Sequence, residues 1–494
     1  MSNFRIDINQ PSLGGLAPGF WKETYPATGN KNMAGSMLHM DLTNPGFITQ
    51  GPGLSTLTAG TQAGAVTSNI RGILDYAVTN NVCYGVGGNK LQQFSATAVT
   101  NAGAWPHTID KAAVTSETGE DVAVYQGALY YSYNHSGNAG DIGKYDLSSS
   151  FDDDWGSTVP SGAAALQNPA AANYTPHQMV VGGNDVLYIA NGRYVATYDG
   201  TTFVPQALDF PSDAIVMSIA WMSDRLWIAV QRPQLVVGNN LQSSIYVWDG
   251  TTDSWESEIK VTGAVTSLFV KNNVLYLWHY SNPASVIVRF GYVSGLQIID
   301  LVTFQNPAPL YFNVSEYKDF IIWNVNGGTE SKVFAYGVGD KGLNTRFFQY
   351  TSGGYIDAGG IAVPFSVPMI SSFDSSGGTN IKFAKFSGYA TGGNWKSLMF
   401  DVTGEDKNGS HVVVVKIRWD TLASGARVDW KLLNSEGRTV YSDTISFSKF
   451  GTNTSAIYKL NGKVTDDLRV EFDYTNGSAT NPVSIKSVKV YGTN

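Results

Sequence analysis

A chain of 494 residues with a net charge of −8 and only 15% charged residues has room for more than one domain, and it lacks the basic footprint with which nucleic-acid binders displace counterions. Its single cysteine, Cys83, excludes an internal disulfide, so the fold must stand on packing, as proteins of a reducing cytoplasm do. Abundant glycine and short polar residues make turns while Tyr, Trp, Phe and Val fill pleated faces, so the composition predicts an all-β protein.

Residues 1–65 read as an extended N-terminal arm. The opening MSNFRIDINQPSLGG has no apolar segment of a secretory signal, and no apolar run in the chain approaches the roughly 20 residues of a membrane span. Pro45-Gly46 and Pro52-Gly53 break regular structure, and ordering such an arm requires contacts with the rest of the chain or with a neighbour.

Residues 66–379 carry a repeat. Six short units, NNVCY ending at Tyr84, QGALY at Tyr130, NDVLY at Tyr188, SDRLW at Trp227, NNVLY at Tyr276 and KDFII at Ile322, follow one another at intervals of 46, 58, 39, 49 and 46 residues. In each, a turn-forming pair runs into a strand-forming segment. The interval matches the four-stranded blade of a β-propeller, roughly 40–50 residues. A second element recurs downstream in GKYDLSSSFDDDW from Gly143, ATYDGTTFVP from Ala196 and YVWDGTTDSW from Tyr246, where aromatic-Asp-Gly marks a turn between two later strands. Each unit therefore reads as inner strand, tight turn, second strand, loop, third strand, Asp-Gly turn and outer strand. Six units span Ile70 to Tyr350, and Ser366 to Phe386 supplies part of a seventh, giving a six- or seven-bladed propeller. The alternative is a β-sandwich with irregular hairpins.

Residues 380–494 change rhythm and charge. They hold a net +4 against −12 for the first 379 residues, and their strands are longer. Val413, Val415, Ile417 and Trp419 share one face by period two, as do Leu468, Val470, Phe472 and Tyr474. With turns at Asn434-Ser-Glu-Gly and Asn461-Gly462, this region reads as an antiparallel β-sandwich or jelly roll of about eight strands.

Chemistry is sparse in the sequence. His39, His107, His135, His177, His279 and His411 lack metal-ligand spacing, and no nucleophile elbow is present. The run Asp152-Asp153-Asp154 offers hard oxygen ligands without an EF-hand frame around it, and reads first as a solvated loop. Asp121, Asp185 and Asp224 lie near inner turns, where a glycosidase propeller gathers carboxylates and where a turn residue also belongs. Trp419 and Trp430 invite a sugar-stacking reading, but both share faces with aliphatic residues and are expected in a core. No catalytic residue, cofactor or metal ligand is assigned from the sequence.

The arm with LTNPGFITQGPGLSTLTAG, the degenerate Tyr-Asp-Gly propeller and the KFAKFSGYA entry to the last region together resemble structural proteins of tailed bacteriophages. The closing VSIKSVKVYG resembles the last strand of galactose-binding-like jelly rolls. These resemblances imply a non-enzymatic virion component of the tail or neck, made in the host cytoplasm and released by lysis. Its partners would be other virion proteins and copies of itself. They leave open a host-adsorption protein binding surface glycan through the last region and, third, a polysaccharide hydrolase.

Overall fold

A computed structural model describes residues 3–8, 34–38, 40–42, 47–56, 58–59, 70–78, 81–96, 98–99, 105–110, 117–135, 138–158, 166–167, 176–237, 240–280, 287–305, 313–326, 331–338, 345–353, 357–374, 380–387, 389–390, 392–401, 410–465, 467–474 and 483–493. Those residues are almost wholly strands. The helical pieces among them are the single turns Trp155–Thr158 and Phe447–Phe450.

Five successive sheets are four-stranded antiparallel meanders in sequence order. The third of these is typical: Ile215–Met222, Arg225–Val237, Asn240–Trp248 and Ser257–Thr262. The tight turns that begin the repeat units fall between first and second strands. Gln126, Asp185, Ser223, Asp224, Asn272, Asn273 and Lys318 all hold positive φ there, which a two-residue hairpin turn demands and Asn, Asp and Gly tolerate best. The Asp-Gly turns join third and fourth strands. Asp249 Oδ1 accepts the N–H groups of Thr251 and Thr252 at 2.8 and 3.0 Å, and Asp199 does the same for Thr201 and Thr202.

Two further sheets stand at the ends of this series. One contains Gly72–Ile73, Cys83–Gly87 and Lys90–Phe94. The other runs Asp357–Ala362, Met369–Asp374, Asn380–Ser387, and its fourth strand is Gly53–Thr56, drawn from early in the chain. The first strands of these two sheets touch, and Gly360 N–H donates to Ile70 O at 2.6 Å. Successive meanders that return to their start form a β-propeller.

Aromatic residues hold the sheets face to face. Tyr125, Tyr130, Trp155 and Tyr198 pack between two neighbouring sheets, with Trp155 edge-on to Tyr130 at 4.9 Å and to Tyr198 at 4.8 Å. Trp278, Phe290 and Trp323 do the same three sheets further on. Such pairs add about 0.5–1.5 kcal/mol each beyond their burial.

A polar latch repeats near the axis. Asp121 Oδ2 accepts Met179 N–H at 2.7 Å, Gln178 Oε1 accepts Ile219 N–H at 2.9 Å, and Ser218 Oγ accepts Leu268 N–H at 2.9 Å. Each acceptor sits on or beside one first strand, and each donor is on the next. Bulges just before Asp121 and Ser218 turn these side chains sideways toward the neighbouring strand, and Ser267 follows a bulge at the same position. Replacing Ser218 by Ala is expected to cost about 2 kcal/mol, because a buried N–H loses its acceptor. Urea unfolding measures this, and a change within about 0.5 kcal/mol would deny the latch any stabilising role.

The last region contains two antiparallel sheets over one core. One is ordered Asn3–Ile8, Ile485–Thr493, Ser410–Trp419 and Ser455–Thr465. The other includes Ala34–Leu38, Asn394–Ser397, Asp467–Asp473, Arg427–Asn434 and Thr439–Ser446. Trp395, Trp419 and Trp430 are fully buried between them. The turn expected at Asn434–Gly437 is present, with Gly437 at φ 76°. Asn461-Gly462 is not a turn: strand Ser455–Thr465 runs through it and only its register slips against Ser410–Trp419. The ladder on both sides of the slip holds the strand together where local turn chemistry would have ended it. The early strands Asn3–Ile8, Ala34–Leu38 and Gly53–Thr56 are thus all paired within the rest of the chain. Pro45-Gly46 and His39 lie outside the described residues.

Candidate functional site

Among the described residues, a cavity of about 410 Å³ lies on the propeller axis, walled by first strands of several sheets and by the segment Leu74–Tyr76. Two carboxylates line it, Asp75 and Asp121. Burial pushes Asp121 up to about 7 against the N–H groups of Met179 and Val122, which favour its ionised form. Burial likewise pushes Asp75 up to about 6, against donation from Ser315 Oγ at 2.5 Å and Val363 N–H at 3.2 Å. Both groups exchange protons near neutrality, and both are bound by donors from neighbouring strands. Tyr76 is the half-exposed aromatic of this cavity.

A buried polar chain runs close by. Arg71 pairs with Glu120 at 2.7 Å, Asn134 Nδ2 donates to Glu120 Oε1 at 2.9 Å, and Asn134 Oδ1 lies 2.8 Å from His177 Nε2. His177 Nδ1 meets Ala190 O at 2.9 Å, and burial lowers the His177 imidazole to about 4. Glu120 is the extra residue of the bulge before Asp121, so one backbone irregularity sends Asp121 to the latch and Glu120 to Arg71.

The residues singled out in the sequence are dispersed. Of Asp121, Asp185 and Asp224, Asp121 alone lines the axial cavity. Asp185 and Asp224 are exposed turn residues at φ 56° and 57°. Asp153 accepts from Asp110 N–H at 3.0 Å and from the Tyr131 hydroxyl and meets His107 Nε2 at 3.0 Å, so it ties separate segments together. Asp152 is exposed. Among the described residues, no cluster of three or more His, Cys, Asp or Glu side chains is arranged to hold a metal ion. Cys83 is buried, donates to Leu74 O at 3.2 Å, and has its thiol pushed well above the usual range by burial, which makes it a poor nucleophile. Trp419 and Trp430 are fully buried and present no stacking surface.

A second, open groove of about 400 Å³ is lined by Lys260, His279, Arg289 and Asp300 among others. His279 Nε2 meets Asp300 at 2.8 Å and Arg289 reaches the same carboxylate at 3.2 Å.

The sequence did not single out Asp75, Gln178 or Ser218. A signal for part of the latch exists: Asp121 and Ser218 each stand nine residues before the aromatic that ends their unit, Tyr130 and Trp227.

Strand order and latching define the class: an all-β protein built on a β-propeller. No family model matches the chain, and no curated protein sequence matches it. Among solved structures it is similar to the β-propeller domain of the trilobed protease from Pyrococcus furiosus, at 10% identity over 65% of this chain and 99% of that one, with a TM-score of 0.38. It is also similar to Drosophila semaphorin 1a extracellular domains 1–2, at 8% identity over 68% and 88%, TM-score 0.41. A third similarity is to an exo-β-1,3-galactanase from Phanerochaete chrysosporium, at 12% identity over 90% and 100%, TM-score 0.28. These are likenesses of fold and bring no activity, ligand or partner to this chain.

Proposed function

We propose that this protein is a non-enzymatic structural component of a tailed-phage virion, in the tail or neck, present in several copies. In this reading a seven-bladed propeller, its last blade completed by Gly53–Thr56, is a rigid spacer, and the last region is a β-sandwich that meets neighbouring components. The virion role is supported by the sequence resemblance. The rigid-body role is carried by one observation: the buried polar groups at the axis bind neighbouring strands, as Asp121 binds Met179 and Ser218 binds Leu268. Groups so engaged stiffen a ring.

The test is immunogold electron microscopy of lysate from producing cells with antibody to the whole chain. Gold at the neck, tail or tip of particles is the expected result. Gold absent from particles while the protein stays soluble would overturn the reading.

A further inference from the structure

The outer face of the sheet that begins with Asn3–Ile8 has an unusual charge pattern. Register across its four strands sets Arg5 beside Tyr491, Val414 and Lys459 in one row. The next row is Asp7, Lys489, Lys416 and Ile457, and the third places Arg418 between Ser487 and Ser455. The opposite face, with Ile6, Val490, Val415 and Tyr458, is buried in the core. Arg5 pairs with Asp7 at 2.7 Å. Among the described residues Lys416, Arg418, Lys459 and Lys489 have no ion-pair partner. Lys416 and Lys489 stand directly opposite each other, an arrangement that costs stability in a sheet. Ile457, in the same row, is 61% exposed.

The propeller offers the complement. The turns between first and second strands and between third and fourth strands leave the meanders at one end, and they meet their neighbours there: Gln126 Nε2 donates to Asp185 Oδ2 at 3.1 Å, and Ser223 Oγ reaches Asn273 Oδ1 at 2.8 Å. That ring face carries Asp146, Asp185, Asp199, Asp224, Asp249 and Asp319, with Arg225 and Lys318 as cations among them. Turn chemistry favours Asp at such positions, and the repeat places them all on one side.

We propose that this basic sheet face docks on the acidic turn face of the propeller in a second copy of the chain. The two surfaces differ, so the contact is head to tail, and repetition gives a closed ring or a filament. It goes beyond the virion reading and stands without it, because it rests on charge placement.

The test uses the whole chain in sedimentation and light scattering at about 0.05 M and about 0.5 M salt, where screening lengths differ severalfold. Assemblies larger than one chain at low salt, dissociating at high salt, are expected. K416E/K489E and D253K/D319K, Asp253 being an exposed residue of the turn between Asn240–Trp248 and Ser257–Thr262 on the same ring face, should each weaken association about 100-fold, since like charges then face each other. An equimolar mixture of the two variants should regain it, because one intact and one doubly reversed contact can form. A wild-type chain that stays single at low salt overturns the proposal, as does a mixture that fails to associate. So does self-association that survives K416E/K489E while binding to dextran sulfate or anionic phospholipid vesicles is lost. Gold-labelled particles together with a non-associating chain would sink this contact alone.

Discussion

Removal of residues 1–57 is expected to leave a protein without cooperative unfolding. The deletion takes Asn3–Ile8 from the edge of Ile485–Thr493, Ala34–Leu38 from Asn394–Ser397 and Gly53–Thr56 from Asn380–Ser387. It also strips Ile6, Ile8, Met37, Met40, Leu42 and Ile48 from the core they share with Trp395 and Trp430. Each buried aliphatic side chain contributes about 1.5–3 kcal/mol, so the loss approaches or exceeds the roughly 5–15 kcal/mol that stabilises a typical domain. The exposed strand edges would then recruit other chains. Partition between soluble and pelleted fractions and a thermal melt by circular dichroism measure this. A soluble truncated protein with an unchanged midpoint would contradict it.

The second large effect is a fall in stability as pH rises from about 4 to about 7. Asp121 and Asp75 hold their protons up to about 7 and about 6 in the folded chain because burial disfavours their charged forms, whereas an unfolded Asp releases its proton near 4. Between those values the folded state binds more protons, so stability declines with rising pH. It is greatest below about 4 as far as these two groups are concerned, and the loss is complete above about 7. For Asp121 the decline is at most about 4 kcal/mol. Glu120 and Glu316 oppose ionisation further. His177, which burial lowers to about 4, pulls the other way up to about 6.5, where an unfolded His still binds a proton, and so offsets about one of the two carboxylates and leaves a net decline. Asp146, Asp199 and Asp249, which their turn N–H groups hold below the usual carboxylate range, act below pH 4 and leave this window clear. Asp121→Asn should be less stable by about 1–3 kcal/mol, since its amide meets one N–H with a donor. It should also flatten the profile, since Asp75 and His177 then nearly offset each other up to about 6. Urea unfolding between pH 4.5 and 8 decides this, and stability that rises across the window would refute it.

What could be read from the sequence was mostly local chemistry. Asn272-Asn273 and Ser223-Asp224 announce hairpins because positive φ is a property of the turn itself, and the spacing of those hairpins made the propeller legible. Trp419 and Trp430 were placed in a core by alternation with aliphatic neighbours, and they lie there. Pairing between distant strands left no such mark. Nothing in Gly53–Thr56 names Asn380–Ser387 as its partner, since backbone groups make that ladder and backbone is the same everywhere. The axial latch was missed for a related reason. A bulge before Asp121 or Ser218 changes which way a side chain points without changing its hydrophobic pattern. The Asp152–Asp154 run misled in the other direction: adjacent carboxylates suggested an ion or solvent, yet Asp153 is turned inward to Tyr131 and His107.

The ladder between Asn3–Ile8 and Ile485–Thr493 also imposes an order on synthesis. A ribosome adding roughly 5–20 residues per second takes about 25–100 s to travel between those two strands, and throughout that interval the earlier one has no partner to pair with. Any chain cut short in between leaves the early strand without its ladder, so only a ribosome that has passed both strands releases a molecule in which the two are paired. The pairing thus acts as a check that translation ran through to Thr493.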